Sequence, residues 1–498
     1  MLRYTGHPIA DIGVATITAF RQKTKPEDLN DEDLEQTAEY LLTQYTSGVL
    51  TPYLSCVFTM NASYTQPSWK QAQREQESRE LLFSFRREPD PAATSLRCIF
   101  SGEPASRIVY RQHVPMLTGE GVLNFFPAGT GGLPISGPYL LAIQAFPLGA
   151  LRCFGRALAV HSPDDPGLTY AFARRFLVKN RQLLLLTEQS GEKYQDAKAP
   201  KTVIAHALLE IEEERRERSE DEPAPSVTVY HLTNSGQGPD ITLFHLPSQV
   251  VQFLRLASRA GTQQIWRRIE AAAWEKVESE KPKSGEKKRK EGKRTKAEAE
   301  RSLIWGPGIS RNYLYEDLFD LPERATYFVR TYFLRRAYRA ARQPNDPRRA
   351  YRLSQDLELV SWELTRVFLK EVIGMEKIRI EAIRILGDRL ADYISSDNDR
   401  RFFQGFYRTN QYGVLRNLLI KSCNACLRKG QPPLIGLDEF LLVFEEGEET
   451  PRRDWRLARD LVLIRIIEEL YKKGWFGKQP DVLEGLDTDE EERNGATS

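Results

Sequence analysis

The chain contains few of the residues, and none of the patterns, that mark several large protein classes. It has only 5 cysteines in 498 residues, and an odd number spread over a long chain is a poor framework for disulfides. No stretch approaches the roughly 18 consecutive apolar residues of a membrane helix, and the first residues lack the charged-then-apolar pattern of a signal peptide. We therefore expect a cytoplasmic protein with no membrane partner.

Sequence motifs of catalysis are absent as well. The chain has no Gly-x-x-x-x-Gly-Lys-Ser/Thr loop, no His-Glu-x-x-His and no Gly-x-Ser-x-Gly. The glycine cluster at 129–132 is followed by Leu133-Pro134, which supplies no lysine and begins no dinucleotide-type helix, so it favours a structural turn. We predict that the protein is not an enzyme and needs no cofactor.

Two segments resemble metal sites only locally. His161-Ser162-Pro163-Asp164-Asp165 has the composition of a capped turn before a helix, although a metal site or nuclease remnant is the alternative. Cys423 and Cys426 have zinc-like spacing, but a structural zinc site needs four ligands and the other cysteines lie far upstream. We expect two thiols on a helix face and no metal, which zinc analysis of the purified protein would test.

What is present is enough apolar sequence, 41% of residues, for two to four domains. Residues 1–277 mix short β-branched or aromatic runs with helical patterns at 139–146, 170–186 and 203–218, which indicates an α+β domain. Segments 227–232 and 241–246 predict a hairpin with a longer loop, and helix is expected again from 249 to 277.

The rest of the chain predicts helices. Residues 278–301 are almost purely Lys, Arg, Glu, Gly and Ser, so we expect a flexible charged loop, which is a tether to phosphates or a solubilising insertion. Connecting helices are expected over 302–345, an all-α helical bundle over 346–478 and a disordered acidic tail over 479–498. Thr450-Pro451 is typical of a helix start.

Arginine is concentrated in one region of this helical half. Between Arg324 and Lys429 there are about twice as many Lys and Arg as Asp and Glu, interleaved with aromatic residues. Arginine grips phosphate in a forked geometry, so this pattern predicts a surface that follows a nucleic-acid backbone, the alternative being a face of solvated salt bridges. The candidate residues for the backbone of a displaced strand are Arg335, Arg336, Arg339, Arg342, Arg348, Arg349 and Arg352.

Two sets of polar residues in the first domain are candidates for other contacts with nucleic acid. In the first set, amides can pair with adenine and a tyrosine can wedge between bases, the alternative being an ordered polar turn. Its members are Asn61, Ser63, Tyr64, Thr65, Gln66 and Lys70. The second set lies on a predicted strand and is a candidate for guide RNA or duplex phosphates, the alternative being a solvated strand face. Its members are Arg107, Arg111, Gln112 and His113.

A family resemblance rests on five segments of residues 1–165. They are Tyr4-Thr5-Gly6-His7-Pro8 with Asp11-Ile12-Gly13, Phe58-Thr59-Met60-Asn61-Ala62-Ser63-Tyr64-Thr65, Cys98-Ile99-Phe100-Ser101-Gly102, Asn124-Phe125-Phe126-Pro127 and Leu158-Ala159-Val160-His161-Ser162. No single segment is specific, but their order and spacing resemble the Cst-type large subunit of the type I-B CRISPR surveillance complex, Cascade. The helical second half agrees with that family in architecture rather than in motif.

The resemblance implies a non-catalytic subunit that recognises a short protospacer-adjacent motif (PAM) in duplex DNA and starts strand separation. Its implied partners are the CRISPR guide RNA, target double-stranded DNA, the backbone, 5′-end-capping and small subunits of Cascade, and a recruited helicase-nuclease. The C-terminal bundle resembles the small subunits that hold the displaced strand. A free-standing RNA- or DNA-binding scaffold is the alternative function, and a nuclease is a further one.

The chain departs from the family at one site. Many members carry a Cys-x-x-Cys-Gly pair where this chain has Cys98 and Ser101, and a second pair where it has Ser136 to Tyr139, so the resemblance implies that a zinc site has been lost. Packing around Phe100, Phe125 and Leu133 would then replace metal ligation. By analogy with several type I-B systems, we also expect a second, small-subunit product starting near Met375.

Overall fold

The computed structural model describes residues 1–86, 96–117, 132–191, 194–215, 223–234, 239–275, 311–338, 340–341, 343–446, 450–483 and 486. It confirms the predicted fold class, since among these described residues strands and helices occur together in the first half and the named elements of the second half are helices. The chain divides into two compact units, one centred on Met1–Ser248 and one that starts at Gln249 and contains the chain from Asn312 onward.

A buried helix runs through the centre of the first unit. Its first turn is fixed by Pro8 and by the His7 imidazole, which accepts a hydrogen bond from the Ala10 amide. Gly13 lies against the main chain of Ala142, where any Cβ would fall 1.9 Å from the carbonyl oxygen, so only glycine allows these two helices to approach this closely. The helices are α1 Pro8–Phe20, α2 Asp31–Thr46, α3 Thr51–Val57, α4 Gln71–Leu82, α5 Gly137–Ala145, α6 Pro166–Ser190 and α7 Pro200–Glu214.

The strands of this unit form two antiparallel sheets. The predicted hairpin is present, and its two strands pair along their whole length, from Val227 opposite Leu246 to Thr233 opposite Asp240. The four-stranded sheet has the order β3-β4-β5-β6, and the small sheet pairs β1 with β2. The strands are β1 Arg107–Val109, β2 Leu133–Ile135, β3 Leu151–Cys153, β4 Arg156–His161, β5 Val227–Thr233 and β6 Asp240–Leu246.

Aromatic packing holds the second unit together. Phe368 contacts Phe253, Phe328 and Phe333 with ring centroids 5.2 to 5.3 Å apart. Because Phe253 packs here, the helices after residue 248 belong to the second unit, so the boundary predicted at 277 lies too late in the chain. The helices are α8 Ser248–Ala257, α9 Gln263–Ala272, α10 Tyr313–Leu318, α11 Ala325–Phe328, α12 Leu353–Asp356, α13 Trp362–Phe368, α14 Lys377–Asp397, α15 Arg400–Arg408, α16 Tyr412–Arg428, α17 Leu437–Phe444 and α18 Trp455–Lys472.

Several predicted boundaries in this unit were wrong. The helix expected over 249–277 is two helices separated by Gly261, whose positive φ of 100° ends the helical path. The expected cap at Thr450 does not start a helix, because Pro451 forms an isolated bridge with Glu445 and helix begins only at Trp455.

The start of the acidic tail is packed rather than free. Val482, Leu483 and Leu486 are buried, because apolar side chains are interspersed among the first acidic residues. The rest of the predicted tail, the predicted charged loop at 278–301 and the glycine cluster up to residue 131 lie outside the described residues. Among the described helices, none combines the length and apolarity needed to cross a lipid bilayer.

Candidate nucleic-acid interface

The two polar sets predicted in the first unit meet at one buried side chain, Gln144 on α5. The Tyr64 hydroxyl donates to Gln144 Oε1 at 3.1 Å, and Gln144 Nε2 donates to the His113 carbonyl at 2.7 Å. Gln144 itself is fully buried. The amide oxygen of Gln144 thus holds the segment 59–70, and its amide nitrogen holds the segment 107–117. We call these two segments the Gln144-anchored loops.

Tyr64 and Thr65 hold the first loop in place and are not available to DNA. The Tyr64 ring is fully buried, in edge contact with Tyr45 and Phe58, and burial raises its pKa far above the ordinary value. The Thr65 hydroxyl donates to the Thr59 carbonyl at 2.8 Å. The prediction that Tyr64 wedges between bases is therefore wrong for this fold, since its hydroxyl satisfies a polar group in the core.

The other members of this set lie nearer the surface. Asn61 and Lys70 are exposed, and Ser63 and Gln66 are half-buried. The side chains of Asn61, Gln66 and Lys70 make no hydrogen bond or ion pair within the part of the chain that the structure describes. A rigidly anchored loop therefore presents an amide pair and a cation whose donors and acceptors are uncommitted, as base and phosphate recognition requires.

The second set lies on a strand only at its first residue. Strand β1 ends at Val109, and residues 111–113 form a turn, so the prediction of one strand carrying all four residues was wrong. The turn is set by His113, whose Nδ1 accepts a hydrogen bond from the Tyr110 amide at 3.2 Å. Burial, with a contribution from Arg107, lowers the pKa of His113 to about 4. A neutral His113 supports the turn and offers no charge to phosphate.

Arg107, Arg111 and Gln112 remain as surface candidates. Arg111 is exposed, and Arg107 and Gln112 are half-buried. None of the three side chains is hydrogen-bonded or ion-paired to another described residue. Arg107 on β1 and Arg111 in the following turn thus belong to one Gln144-anchored loop, and Asn61 and Gln66 belong to the other. The half-buried His113 and the buried Tyr64 support them.

Two of the arginines predicted to contact the displaced strand are internal. Arg335 is 1% exposed, donates to Asp356 at 2.9 Å and stacks over the Tyr351 ring at 3.5 Å. Arg348 is 7% exposed and donates to Asp346 and to Asp317. These two residues cannot reach a strand, because their side chains are buried and donate to carboxylates of the same unit.

The remaining predicted arginines differ in their exposure to solvent. Arg336 is half-buried, donates to the Tyr407 carbonyl at 3.1 Å and lies 4.1 Å from the centre of that ring. Arg349 and Arg352 are exposed, while Arg339 and Arg342 lie outside the described residues. The main chain around Arg349 forms a short 3₁₀ turn, Pro347–Ala350, rather than the helix face on which the prediction rested.

The sequence segments that carry the family resemblance pack against each other. Asp11 on α1 lies 3.2 Å from His161 Nε2 at the end of β4, with both side chains buried. The same carboxylate accepts hydrogen bonds from the amides of Thr5 and Gly6 at 2.7 and 2.9 Å. Burial alone would raise the pKa of Asp11, but the hydrogen bonds from His161, Thr5 and Gly6 outweigh it and lower the pKa.

The positions where the resemblance implies a lost zinc site also cluster. The Ser136 hydroxyl lies 3.5 Å from Cys98 Sγ, and Ser101 hydrogen-bonds the same thiol. Phe100 stacks on Tyr139 with ring centroids 5.6 Å apart, so aromatic packing is present at these positions. Phe125, which the sequence predicted to take part in this packing, lies outside the described residues. Burial would raise the pKa of Cys98, yet the hydrogen bonds from Ser101 and Ser136 lower it.

The segments considered as metal sites are accounted for by local structure. Asp165 caps α6 by accepting from the Leu168 amide at 3.0 Å, which confirms the capped turn. Cys423 and Cys426 lie on α16, which confirms that these two thiols are on a helix. Across the described residues, no group of three or more His, Cys, Asp or Glu side chains is placed to hold a metal ion.

Sequence reasoning missed the residues that organise the interface. Gln144 sits in an apolar helix, Gly137–Ala145, and a lone glutamine among buried residues was the available signal. Asp11 was noted only as part of a motif, although an acidic residue inside the apolar segment 9–17 also indicates a buried polar partner.

No match was found by any of three comparisons with known proteins: protein-family models, curated proteins and solved structures.

Proposed function

We propose that this chain is the non-catalytic large subunit of a type I-B CRISPR surveillance complex, and that the Gln144-anchored loops recognise the PAM in target duplex DNA. The observation that carries the proposal is the pairing of two rigidly held loops with polar side chains that have no partner among the described residues. Asn61 and Gln66 are assigned to base edges, and Lys70, Arg107 and Arg111 to phosphates.

The packing of distant motif segments supports the proposed family. The Asp11 carboxylate, which accepts from the amides of residues 5 and 6, also contacts residue 161, and the Cys98 thiol, which residue 101 hydrogen-bonds, also contacts residue 136. Such convergence is expected when segments shared with a family belong to one folded core rather than to chance similarity. The α+β first half followed by helices agrees with the same proposal.

We assign fewer arginines of the second unit to the displaced strand than the arginine count in the sequence suggested. Arg335 and Arg348 are excluded by burial and Arg336 is held against Tyr407, which leaves Arg349 and Arg352 as the exposed candidates among the described residues. In guide-directed systems base pairing supplies most of the sequence information, so a protein surface that holds a backbone need only supply positive charge. Recruitment of a helicase-nuclease to this subunit is part of the proposal.

Co-expression with the genes adjacent to its own tests the assembly. We expect the tagged chain to purify with the backbone and 5′-end-capping subunits and with a guide RNA of uniform length. A chain that purifies alone and binds RNA or DNA without any guide would instead support the free-standing scaffold. Metal-dependent cleavage that one acidic substitution abolishes would support the nuclease.

A substitution pair tests the site itself within that assembly. Asn61→Ala with Gln66→Ala should reduce discrimination among duplexes that differ only in the motif beside the target, because the amides that read base edges are gone. Asn417→Ala, at an exposed asparagine of α16, is the matched control and should leave discrimination unchanged. Unchanged discrimination in the double variant would remove the assignment of these loops.

The second product expected near Met375 would lack one of its native contacts. Asp460 on α18 is fully buried and accepts a hydrogen bond from Arg330, which precedes Met375. A product starting at Met375 would keep Arg459 beside Asp460 but would lose Arg330. Intact-mass analysis of the expressed operon tests whether this product is made.

A further inference from the structure

The four-stranded sheet of the first unit has one covered edge and one open edge. At the covered edge, Ala197 bridges to β3, and its amide donates to the Arg152 carbonyl at 3.0 Å. At the other edge lies β6, which pairs with β5 on one side only within the part of the chain that the structure describes. Alternate amides and carbonyls of β6 therefore point outward, as a row of hydrogen-bonding groups that a further strand could use.

The sequence of β6 lacks the features that discourage strands from pairing at an exposed edge. The strand is 7 residues long, its register with β5 is unbroken from Asp240 to Leu246, and it contains no proline, lysine or arginine. Its single carboxylate, Asp240, is ion-paired with Arg156 at 2.5 Å, so a residue of the same sheet offsets that charge. Short strands, bulges, prolines and charged side chains are the usual protection of an edge, so β6 is open to a partner strand.

One face of β6 is also apolar and exposed. Successive side chains of a strand point to opposite faces, so Ile241, Leu243 and His245 share one face. Ile241 is 43% exposed and Leu243 is 58% exposed, whereas Leu246 on the other face is buried. A sheet that continued beyond β6 would cover both apolar side chains, which favours a partner strand with apolar residues at alternate positions.

A second copy of β6 meets this requirement. Directly opposed residues of an antiparallel pair share a face of the sheet, which limits the registers that a two-fold axis allows. An axis at Thr242 places Ile241 of each copy opposite Leu243 of the other, so two apolar pairs form on the exposed face. An axis at Leu243 would instead place each Ile241 opposite His245. The two Asp240 carboxylates are not opposed when the axis lies at Thr242, so this register also avoids a like-charge pair.

We propose that β6 is a dimerisation strand, through which two copies of this chain join edge to edge. The two β6 strands run antiparallel and are centred on Thr242, so the two four-stranded sheets become one continuous sheet. This inference does not rest on the proposed function, because it concerns the full-length chain by itself. Its failure would leave the assignment of the Gln144-anchored loops unchanged.

Sedimentation velocity of the full-length chain over a range of concentrations tests the dimer. We expect the wild-type chain of 57.2 kDa to convert from monomer to dimer as its concentration rises. Ile241→Lys with Leu243→Lys replaces both apolar pairs by opposed lysines, which should raise the dissociation constant of the dimer by about 100-fold. Both side chains are exposed in the single chain, so the variant should remain folded, and circular dichroism checks this.

A second variant tests the register. Ile241→Lys with Leu243→Glu places each lysine opposite a glutamate if the axis lies at Thr242, so this variant should dimerise at least about 10-fold more tightly than the double-lysine variant. An axis at Leu243 would oppose the two glutamates instead. Equally weak association of the two variants would therefore overturn the proposed pairing.

The matched control, Ile378→Lys with Leu437→Lys, replaces two exposed apolar side chains of the other unit and should not change the dissociation constant. The inference is overturned if the wild-type chain is a monomer at every concentration, or if the control weakens association as much as the double-lysine variant does. It is also overturned if the chain alone is a monomer and the double-lysine variant loses a different subunit of the assembly. In that case β6 receives a strand of another protein.

Discussion

The two units of this chain differ in how deeply their described arginines are buried. All five buried arginines among the described residues, Arg255, Arg335, Arg348, Arg379 and Arg459, belong to the second unit. In the first unit, Arg107, Arg111 and Arg174 instead make no ion pair with any described residue. The unit with the arginine-rich sequence is thus the one in which several of the arginines are structural.

The difference follows from what surrounds each guanidinium group. Arg348 lies between the carboxylates of Asp317 and Asp346 and the rings of Tyr313 and Tyr338. A planar cation with five donors can satisfy several buried acceptors at once and also stack on aromatic rings. Arginines interleaved with tyrosines in a sequence therefore indicate a buried polar network as readily as a surface for nucleic acid.

Loss of Arg348 should have the largest effect on stability. Arg348→Met leaves two buried carboxylates without their cation, which costs about 3–5 kcal/mol of the free energy of unfolding. Chemical denaturation followed by tryptophan fluorescence measures the change. Arg349→Ala, the exposed neighbour, should change stability by less than about 0.5 kcal/mol. Equal effects from the two variants would remove the contrast between buried and exposed arginines.

Gln144 provides the corresponding test in the first unit. Gln144→Met keeps the volume but removes the hydrogen bonds to Tyr64 and His113, so the free energy of unfolding should fall by about 2–3 kcal/mol. Hydrogen exchange should increase in segments 59–70 and 107–117 together. Gln112→Ala, which removes a half-buried glutamine without a described partner, is the control. An increase in only one segment would show that the loops are held independently.

Sequence periodicity predicted which segments form helices and strands better than it predicted where tertiary contacts interrupt them. The hairpin strands expected over 227–232 and 241–246 and the helix expected over 170–186 are present, because strand and helix patterns persist over many residues there. Tertiary contacts overrode the local pattern elsewhere. Leu357, Val360, Leu364 and Val367 recur at helical spacing, but they do not share one helix, because Ser361 is extended and caps a new helix, Trp362–Phe368.

The site was predicted only in part, for a related reason. Side-chain type alone placed Asn61, Gln66, Arg107 and Arg111 correctly at or near the surface. It could not show that Tyr64 is buried in the core, because a tyrosine side chain can either insert between bases or make a hydrogen bond inside the protein. Which arginines meet carboxylates depends on residues such as Asp317 and Arg348, 31 positions apart in sequence, and no local pattern carries that distance.

After Arg348→Met and Gln144→Met, protonation of His113 should have the next largest effect on stability. Its pKa is about 4 in the folded chain and about 6.5 when unfolded, so the unfolded state binds the proton more readily. The stability that neutral His113 contributes is complete above pH 6.5 and declines by up to about 1.4 kcal/mol per pH unit as the pH falls towards 4. His113→Asn keeps an acceptor for the Tyr110 amide without the titration. Its stability should therefore depend less on pH than that of the wild type between pH 7 and 4.5.

Removal of the uncommitted arginines should leave stability within about 0.5 kcal/mol of wild type and act on binding alone. For duplex DNA bound by the assembled complex, Arg107→Ala with Arg111→Ala should flatten the logarithmic salt slope by about 1.8. At 0.1 M salt this corresponds to about a 60-fold loss of affinity, and the loss should be equal for every motif because phosphate contacts carry no sequence information. Arg349→Ala with Arg352→Ala supplies the comparison from the second unit. A flatter slope there too would show that Arg349 and Arg352 also meet the backbone, whereas an unchanged slope would remove these two residues from the contacts with duplex DNA.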